Sequence, residues 1–296
     1  MKVVFLFFLL WMAGPLYSQS GSVYQKYPGE TNTLLWEVSG NGLAKPSFIF
    51  GTFHLLCEDD IHFSEAWQQA ITNSSEVYLE LDMDDPATLL GGLMLMNMKD
   101  GKKLKDLYSE MEYKRVSDFF KDSLQTPIGI FQRMKPVFLA SFLYPKMMPC
   151  AQPISVEDAV MKTAKAQDKE IKGLETMAFQ ASLFDNIPYE KQAKELLDMI
   201  DSINNYKLNF ETMLNSYRNQ RLDELGKMLT DPDFGFEENQ AELLDNRNKN
   251  WVGQLKNIMV NQTVFVAVGA GHLIGENGLI ALLRAAGFTV KGLENR

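Results

Sequence analysis

The sequence predicts an α/β fold in which a mixed sheet core, built from N- and C-terminal segments, is flanked by helices. Short apolar runs typical of buried strands lie near both ends of the chain, at residues 46–50 and 263–268. Between them, from about residue 86 to 230, the pattern becomes mainly helical, which predicts a helical insert. With 296 residues, of which 46% are hydrophobic and 23% charged, the chain can bury the core that this fold needs.

Residues 1–18 have the pattern of a secretory signal peptide. A lysine supplies the positive charge, residues 3–11 are apolar, and a Gly-Pro pair breaks the run shortly before Ser18. We expect cleavage near Ser18 and an exported protein, periplasmic or secreted. Residues 19–33 are polar and are expected to form a flexible lead-in. No later run approaches the roughly twenty apolar residues of a membrane-spanning helix, so none is expected in the mature chain.

A single domain is expected over residues 34–296. In chain order, we expect strands over residues 34–38, 46–50, 77–82, 170–176, 263–268 and 289–293, the first two forming a hairpin around a Gly-Asn-Gly turn. Helices are expected over residues 66–71, 89–98, 108–124, 136–147, 155–166, 189–205, 207–229, 240–259 and 278–286. Ser64 and Ser155 precede two of these helices and are suitable N-caps.

Two near copies of a strand-Gly-x-x-His unit give the strongest functional signal. One is Gly-Thr-Phe-His at 51–54 and the other is Gly-Ala-Gly-His at 269–272. In the second motif we expect the glycines to adopt positive φ, so that the backbone turns and the histidine is aimed from the strand end. Ligands of open α/β sheets lie at the carboxyl ends of the strands. His54, Glu80, Glu175 and His272 all occupy such positions, so we expect them to converge on one site.

Each candidate also has an ordinary structural interpretation. A single histidine after a strand is more often structural, but the paired context favours metal binding or general-base catalysis for His54 and His272. Glu80 either faces solvent or serves as a metal ligand or as a base for water. Glu175 has the same alternatives, or it interacts with the N-terminus of the next helix. Arg247 either forms a surface salt bridge or stabilises a developing oxyanion.

The charge and the missing motifs exclude several classes of protein. The net charge is −9 and no Lys/Arg run is present, which argues against nucleic-acid binding. The sequence contains no His-Glu-x-x-His helix, Gly-x-Ser-x-Gly elbow, Walker A motif or Cys-x-x-Cys pair. The third histidine, His62, lies in a polar stretch and is expected at the surface.

The two cysteines bear on both the compartment and the site. In an oxidising compartment Cys57 and Cys150 can pair, which would close a loop of roughly a hundred residues and stabilise the fold by about 4 kcal/mol. Two separate buried thiols are the alternative. We favour the disulfide because Cys57 lies three residues after His54 and would tether that loop.

Several of these motifs, in this order, resemble those of the TraB/GumN family. They are Gly-Thr-Phe-His at 51–54, Leu-Glu-Leu-Asp around Glu80, Gly-Leu-Glu-Thr around Glu175, Arg-Asn at 247–248 and Gly-Ala-Gly-His ending at His272. The resemblance spans roughly residues 34–293. That family is related to the Tiki metalloproteases and, more distantly, to erythromycin-esterase-like and ChaN-like proteins. The resemblance implies an α/β/α core with a helical insert.

The resemblance to the Tiki branch also implies metal-dependent peptide cleavage. By motif, His54, Glu80 and His272 are the implied ligands of a divalent ion (manganese, cobalt or zinc), with Arg247 as a helper and Glu175 as a weaker catalytic candidate. The leading hypothesis is therefore an exported hydrolase, a peptidase, in which metal-activated water attacks a peptide or small-molecule substrate. The second hypothesis is a metal-independent, esterase-like hydrolase with a histidine base. The third is a non-catalytic periplasmic protein that binds haem or metal.

Overall fold

A computed structural model describes residues 32–85, 91–92, 94–231 and 240–296. The expected signal peptide, nearly all of the expected lead-in and the start of the helix expected over 89–98 lie outside these residues. The strands are β1 (Leu35–Ser39), β2 (Ser47–Thr52), β3 (Leu56–Cys57), β4 (Glu76–Leu81), β5 (Pro153–Ile154), β6 (Glu170–Glu175), β7 (Val264–Gly269) and β8 (Thr289–Gly292).

Six of these strands form one mixed sheet in the order β6-β4-β7-β2-β1-β8. β6, β4, β7 and β2 run parallel to one another, whereas β1 pairs antiparallel with both β2 and β8. The central strands β2 and β7 are buried along their whole length, as expected for parallel strands covered on both faces. The predicted α/β fold, with a sheet built from both ends of the chain, is confirmed, as is the opening hairpin.

Helices flank the sheet, and two of them begin at the predicted caps. The α-helices are α1 (Glu65–Asn73), α2 (Glu110–Asp122), α3 (Pro136–Ala140), α4 (Tyr144–Met147), α5 (Val156–Ala166), α6 (Met177–Leu183), α7 (Tyr189–Asp201), α8 (Ile203–Arg218), α9 (Leu222–Leu229), α10 (Asn246–Asn261) and α11 (Leu279–Ala285). Ser64 Oγ accepts the Trp67 N–H at 3.1 Å at the start of α1. Ser155 Oγ accepts the Asp158 N–H at 2.8 Å at the start of α5. Both hydroxyls satisfy N–H groups that the helix itself leaves unpaired.

The prediction of a single helix over residues 207–229 is wrong, because the helix is interrupted between α8 and α9. Gln220 has φ +55°, in the left-handed region that interrupts an α-helix. Its Oε1 accepts the Leu34 N–H at 3.2 Å and an Asn295 side-chain N–H at 3.2 Å. At this interruption, the Gln220 side chain therefore joins the segment that precedes β1 to the segment that follows β8.

The sequence predicted a disulfide in this region but not the small second sheet beside it. β3 and β5 pair antiparallel, with Leu56 opposite Ile154 and Cys57 opposite Pro153. Two-residue strands are too short to show a hydrophobic period, so this sheet was not predicted. Cys57 is bonded to Cys150, with Cα atoms 5.9 Å apart, which confirms the predicted disulfide.

The core is centred on the sheet and contains large aromatic side chains. Trp36, Trp67 and Trp251 are fully buried, and Phe50 and Phe265 both pack edge-on against Trp67. Among the residues that the structure describes, none of the helices has both the length and the apolar character needed to cross a membrane. His62 is exposed, as predicted.

Candidate active site

The two Gly-x-x-His segments lie side by side at the carboxyl edge of the sheet. β2 and β7 are parallel neighbours, and Thr52 is paired with Gly269 at their ends. A Cβ on Gly51 would lie 2.9 Å from Leu273 Cδ1 and 3.2 Å from Ala270 Cα, so any larger residue would require these neighbours to shift. The described glycines with positive φ lie outside both motifs, and Gly269 has φ −49°. The prediction of positive φ in the second motif is therefore wrong. Gly51 also has no positive φ, and its lack of a side chain instead suits the close approach of Ala270 and Leu273.

Arg247, on α10, lies at the centre of a buried network that joins four of the predicted site residues. Its Nη2 donates to Glu80 Oε2 at 2.6 Å and to Glu175 Oε2 at 2.9 Å. Its Nε donates to the Glu175 oxygens at 3.0 and 3.2 Å. Its Nη1 donates to the Leu243 carbonyl at 2.8 Å and to His272 Nε2 at 3.1 Å. All five N–H groups of the guanidinium thus have acceptors within the protein.

Glu80 is held in its ionised form by this network. Its Oε1 accepts the Gly269 backbone N–H at 2.9 Å and lies 3.6 Å from His272 Nε2. Burial raises the pKa of Glu80, but the Arg247 charge, the two site histidines and the Gly269 N–H together hold this pKa well below its usual range. A buried carboxylate beside a guanidinium is therefore the stable state of this site at neutral pH.

Glu175 contacts Arg247, and a different residue caps the following helix. Its side chain is only 1% exposed. The N-cap of α6 is Thr176, whose Oγ1 accepts a backbone N–H at 3.2 Å, so the helix-terminus alternative for Glu175 is wrong. Gln180, in the first turns of α6, donates to Glu175 at 3.2 Å and to Glu80 at 3.3 Å. The two carboxylates are therefore bridged by both a guanidinium and an amide.

The hydrogen bonds of His272 define its neutral tautomer. Asn248 donates its own amide N–H to a backbone carbonyl, so the Asn248 Oδ1 that lies 2.6 Å from His272 Nδ1 is an acceptor. Nδ1 therefore carries the proton, and Nε2 accepts from Arg247. Burial, opposed by Glu80 and reinforced by Arg247, lowers the pKa of His272 to about 3. The ring also packs against Trp251, with centroids 4.4 Å apart.

His54 is paired with a carboxylate that the sequence did not single out. His54 Nδ1 lies 2.6 Å from Glu157 Oε1, and the Thr52 hydroxyl donates to the same oxygen at 2.6 Å. The Val156 N–H donates to the Phe53 carbonyl at 3.2 Å, so the start of α5 is bonded to the residue that precedes His54 in the first Gly-x-x-His motif. Burial lowers the pKa of His54, but the charge and hydrogen bond of Glu157 outweigh it, so this pKa is raised above 6.5.

A cavity at this edge of the sheet includes both motif histidines in its lining. Its cavity volume is about 130 Å³. Most of the lining side chains are apolar and come from the helices. The charged or strongly polar lining side chains are those of Thr52, His54, Glu80, Gln180, Gln240, Arg247 and His272. Four of the five predicted site residues thus border one cavity, and Glu175 contacts two of its lining residues, Arg247 and Gln180.

Comparison with known proteins identifies the family. The model of the TraB/PrgY/gumN family matches residues 34–292. The chain belongs to this family. It is also similar to metalloprotease TIKI2 of Danio rerio, with 22% identity over 326 residues that cover 88% of this chain and 61% of the relative. The chain thus spans less than two thirds of that relative's length. No solved structure matches significantly.

The predicted metal ligands of this TraB/PrgY/gumN family member do not fit a divalent ion in the observed arrangement. Within the described ranges, no group of three or more His, Cys, Asp or Glu side chains is placed to hold a metal. Arg247 donates to His272 Nε2, so the one lone pair that the neutral ring could offer a metal ion is already engaged, and its guanidinium also lies against Glu80. His54 interacts with Glu157 on the other side of the cluster.

Sequence reasoning missed three polar residues of the site. Glu157 follows Ser155, and the capping spacing placed it in the first turn of a helix, but nothing in the sequence linked that helix to His54. Asn248 is adjacent to Arg247 in the Arg-Asn motif and was not assigned a role. Gln180 lies in the helix that follows β6, and nothing in the sequence linked it to Glu175 or Glu80. Only the tertiary structure brings these three side chains to the site.

Proposed function

We propose that this chain is a hydrolase in which His54, oriented by Glu157, activates water for attack on an acyl carbonyl. The observation that carries the proposal is the 2.6 Å contact between His54 Nδ1 and Glu157 Oε1 at the cavity. A carboxylate on Nδ1 favours the tautomer in which Nε2 is the proton acceptor, which is the form that general-base catalysis needs. The similarity to a metalloprotease supports hydrolysis as the class of reaction.

The proposed reaction uses only water and the acyl substrate. His54 Nε2 takes a proton from water while the water oxygen bonds to the acyl carbon, and the carbonyl electron pair moves to its oxygen. When this tetrahedral intermediate collapses, the bond to the leaving group breaks. The protonated His54 then donates its proton to the leaving group, giving a carboxylic acid and an alcohol or amine. Glu157 stabilises the imidazolium between the two steps.

Arg247 is assigned a positioning role in this proposal. Its five N–H groups are engaged by Glu80, Glu175, His272 and a backbone carbonyl, so direct contact with an oxyanion would require one of these bonds to break. The network instead fixes Glu80 and His272 in the lining of the cavity. The oxyanion role expected from the sequence stays a prediction.

Ester hydrolysis in the presence of a chelator tests the proposal. The purified protein is expected to hydrolyse 4-nitrophenyl esters under these conditions, and His54→Gln is expected to lower kcat by about 10² or more. His62→Gln is the matched control, since His62 is exposed, and it should hydrolyse at the parent rate. A His54→Gln variant as active as the parent would contradict the proposed base.

A metal-dependent peptidase is the second candidate, favoured by the similarity to metalloprotease TIKI2. For His54, Glu80 and His272 to bind a divalent ion, Arg247 would have to move away from Glu80 and His272. Titration with manganese, cobalt and zinc, followed by calorimetry, tests this candidate. Loss of one bound ion in each of His54→Ala, Glu80→Ala and His272→Ala, with peptide hydrolysis that requires the ion, would favour it over the metal-independent mechanism. Haem or metal bound without turnover would favour a binding protein.

We also propose that the protein acts outside the reducing cytosol. The Cys57–Cys150 disulfide supports this, because such bonds persist in oxidising compartments. The expected signal peptide over residues 1–18 has the same implication. Detection of the processed chain in a periplasmic or extracellular fraction, with an N-terminus near residue 19, tests the proposal. An unprocessed chain confined to the cytosol would contradict it.

A further inference from the structure

The polar side chains that line the cavity are largely gathered into one cluster. Glu80, Arg247 and His272 are joined by hydrogen bonds, and Gln180 donates to Glu80. His54 lines the same cavity, just after β2, whose end is paired with the end of β7 that leads to His272. The cluster is formed by strand ends and by the starts of α6 and α10. Any carbonyl that is attacked from His54 must therefore lie at this cluster.

The rest of the cavity lining is mostly apolar and is supplied by helical segments beyond the sheet. It includes Phe138 of α3, Phe184 after α6, Met213 of α8, Leu225 and Met228 of α9, and Leu244 before α10. These side chains offer dispersion contacts and exclude water, but they have no strong hydrogen-bonding groups. The two methionines are flexible and can adapt to a chain of variable shape. The bulk of a ligand that fills this space must therefore be apolar.

The lack of polar partners argues against a peptide as the group that fills the apolar part. Each residue of a peptide carries an N–H and a C=O that must be hydrogen-bonded when they are buried. Among the described lining residues, the side chains outside the cluster that can form such bonds are those of Thr52, Gln240 and Tyr144, and the Thr52 hydroxyl already donates to Glu157. A hydrocarbon chain makes no such demand, so it fits the apolar part without leaving buried groups unpaired.

The charge of the cluster argues for a neutral ligand. Glu80 belongs to the cluster, and Glu157 and Glu175 contact His54 and Arg247 from outside the cavity lining. These three carboxylates exceed the cations, Arg247 and, when protonated, His54, so the site has a net negative charge in either state of His54. A free carboxylate at this position would be repelled, whereas a neutral ester or amide would not. After hydrolysis the same repulsion would favour release of the acid.

We infer that the cavity binds the apolar acyl chain of a neutral ester or amide, with its carbonyl at the cluster and its hydrocarbon along the helical wall. This inference rests on the proposed hydrolase function for the identity of the reacting group. It adds the substrate class: acyl compounds with a medium or long hydrocarbon chain and a small polar head.

Binding and hydrolysis as a function of chain length test the inference separately. Binding is measured by calorimetry with acetamide, butanamide, octanamide and octanoate, which report affinity without turnover. Affinity is expected to rise by about fourfold for each added methylene that is buried. Octanamide is expected to bind more tightly than octanoate. Hydrolysis is measured with 4-nitrophenyl acetate and 4-nitrophenyl octanoate, and kcat/KM should favour the octanoate ester.

A matched pair of variants locates the bound chain. Leu244→Trp fills part of the half-buried wall and should remove most of the dependence on chain length, with little effect on acetamide binding. Leu208→Trp is the control, because Leu208 is 62% exposed on α8 and is absent from the cavity lining. This control should bind octanamide like the parent.

The outcomes separate the inference from the proposed function. Equal affinity for acetamide and octanamide would overturn the inference even if short esters are hydrolysed. Tighter binding of an apolar capped tripeptide than of octanamide would overturn it in favour of a peptide ligand. If affinity rises with chain length and Leu244→Trp removes this rise, the acyl-chain site is supported. If neither ester is hydrolysed in the same experiments, the proposed hydrolase is contradicted.

Discussion

The buried Arg247 network predicts a large loss of stability when the guanidinium is removed. Arg247 is 7% exposed, and its two carboxylate partners, Glu80 and Glu175, have side chains that are 14% and 1% exposed. Arg247→Met keeps much of the side-chain volume but leaves two buried carboxylates without their cation. Removing one partner from a buried ion pair costs about 3–5 kcal/mol, because the remaining charge is desolvated and uncompensated. We expect the free energy of unfolding to fall by this amount.

Urea unfolding followed by circular dichroism measures the effect. The control is Arg218→Met, since Arg218 pairs with Asp60 in a half-exposed setting and its loss should cost about 1 kcal/mol or less. Adding Glu175→Gln to Arg247→Met should recover part of the loss, because one of the uncompensated charges is then removed. If Arg247→Met were no more destabilised than Arg218→Met, the buried charge network would not have the energetic role described here.

Three further predictions concern pH and the disulfide. The pKa of His272 is about 3 in the folded protein against an ordinary value of 6.5, so the contribution of His272 to the free energy of unfolding should be greatest above pH 6.5 and fall by about 4 kcal/mol as the pH decreases toward 3. Denaturation at several pH values measures this. The free energy of unfolding should depend less on pH in His272→Gln, and as in the parent in His62→Gln. The pKa of His54 is raised above 6.5 by Glu157, so hydrolysis, which needs neutral His54, should increase with pH through a midpoint above 6.5; a Glu157→Gln variant whose midpoint does not move to lower pH would contradict this assignment. Loss of the Cys57–Cys150 bond in a double Cys→Ser variant should lower the free energy of unfolding by about 4 kcal/mol, and a loss below about 1 kcal/mol would argue against the disulfide as a major constraint.

The sequence was a good guide wherever a local pattern has a direct physical cause. The continuous apolar runs around Phe48 and Phe265 predicted buried strands, because strands covered on both faces have no polar side to show. Both Gly-x-x-His units were predicted to follow the carboxyl ends of strands, and this position was the reason to expect them at one edge of the sheet. Ser64 and Ser155 marked helix starts because a hydroxyl can satisfy the free N–H groups there.

The parts that could not be predicted depend on contacts between distant segments. The role of Gly51 became clear only when Leu273 and Ala270 were seen against it, since a close approach leaves no trace in local sequence. The break at Gln220 is stabilised by bonds to residues about 75 and 186 positions away. Glu157 lies 103 positions after His54, and the helix that carries it gave a correct cap but no indication of its partner.

The most direct test of the central claim is chemical rescue of His54→Ala. The hydrolysis rate of 4-nitrophenyl octanoate is measured for the parent and for this variant, with and without added imidazole, after circular dichroism has shown that both are folded. If His54 is the general base, kcat should fall by about 10² or more, and imidazole entering the vacated position should restore part of the loss. An unchanged rate in His54→Ala, or a loss that imidazole does not relieve while Glu80→Gln is equally impaired, would contradict His54 as the base.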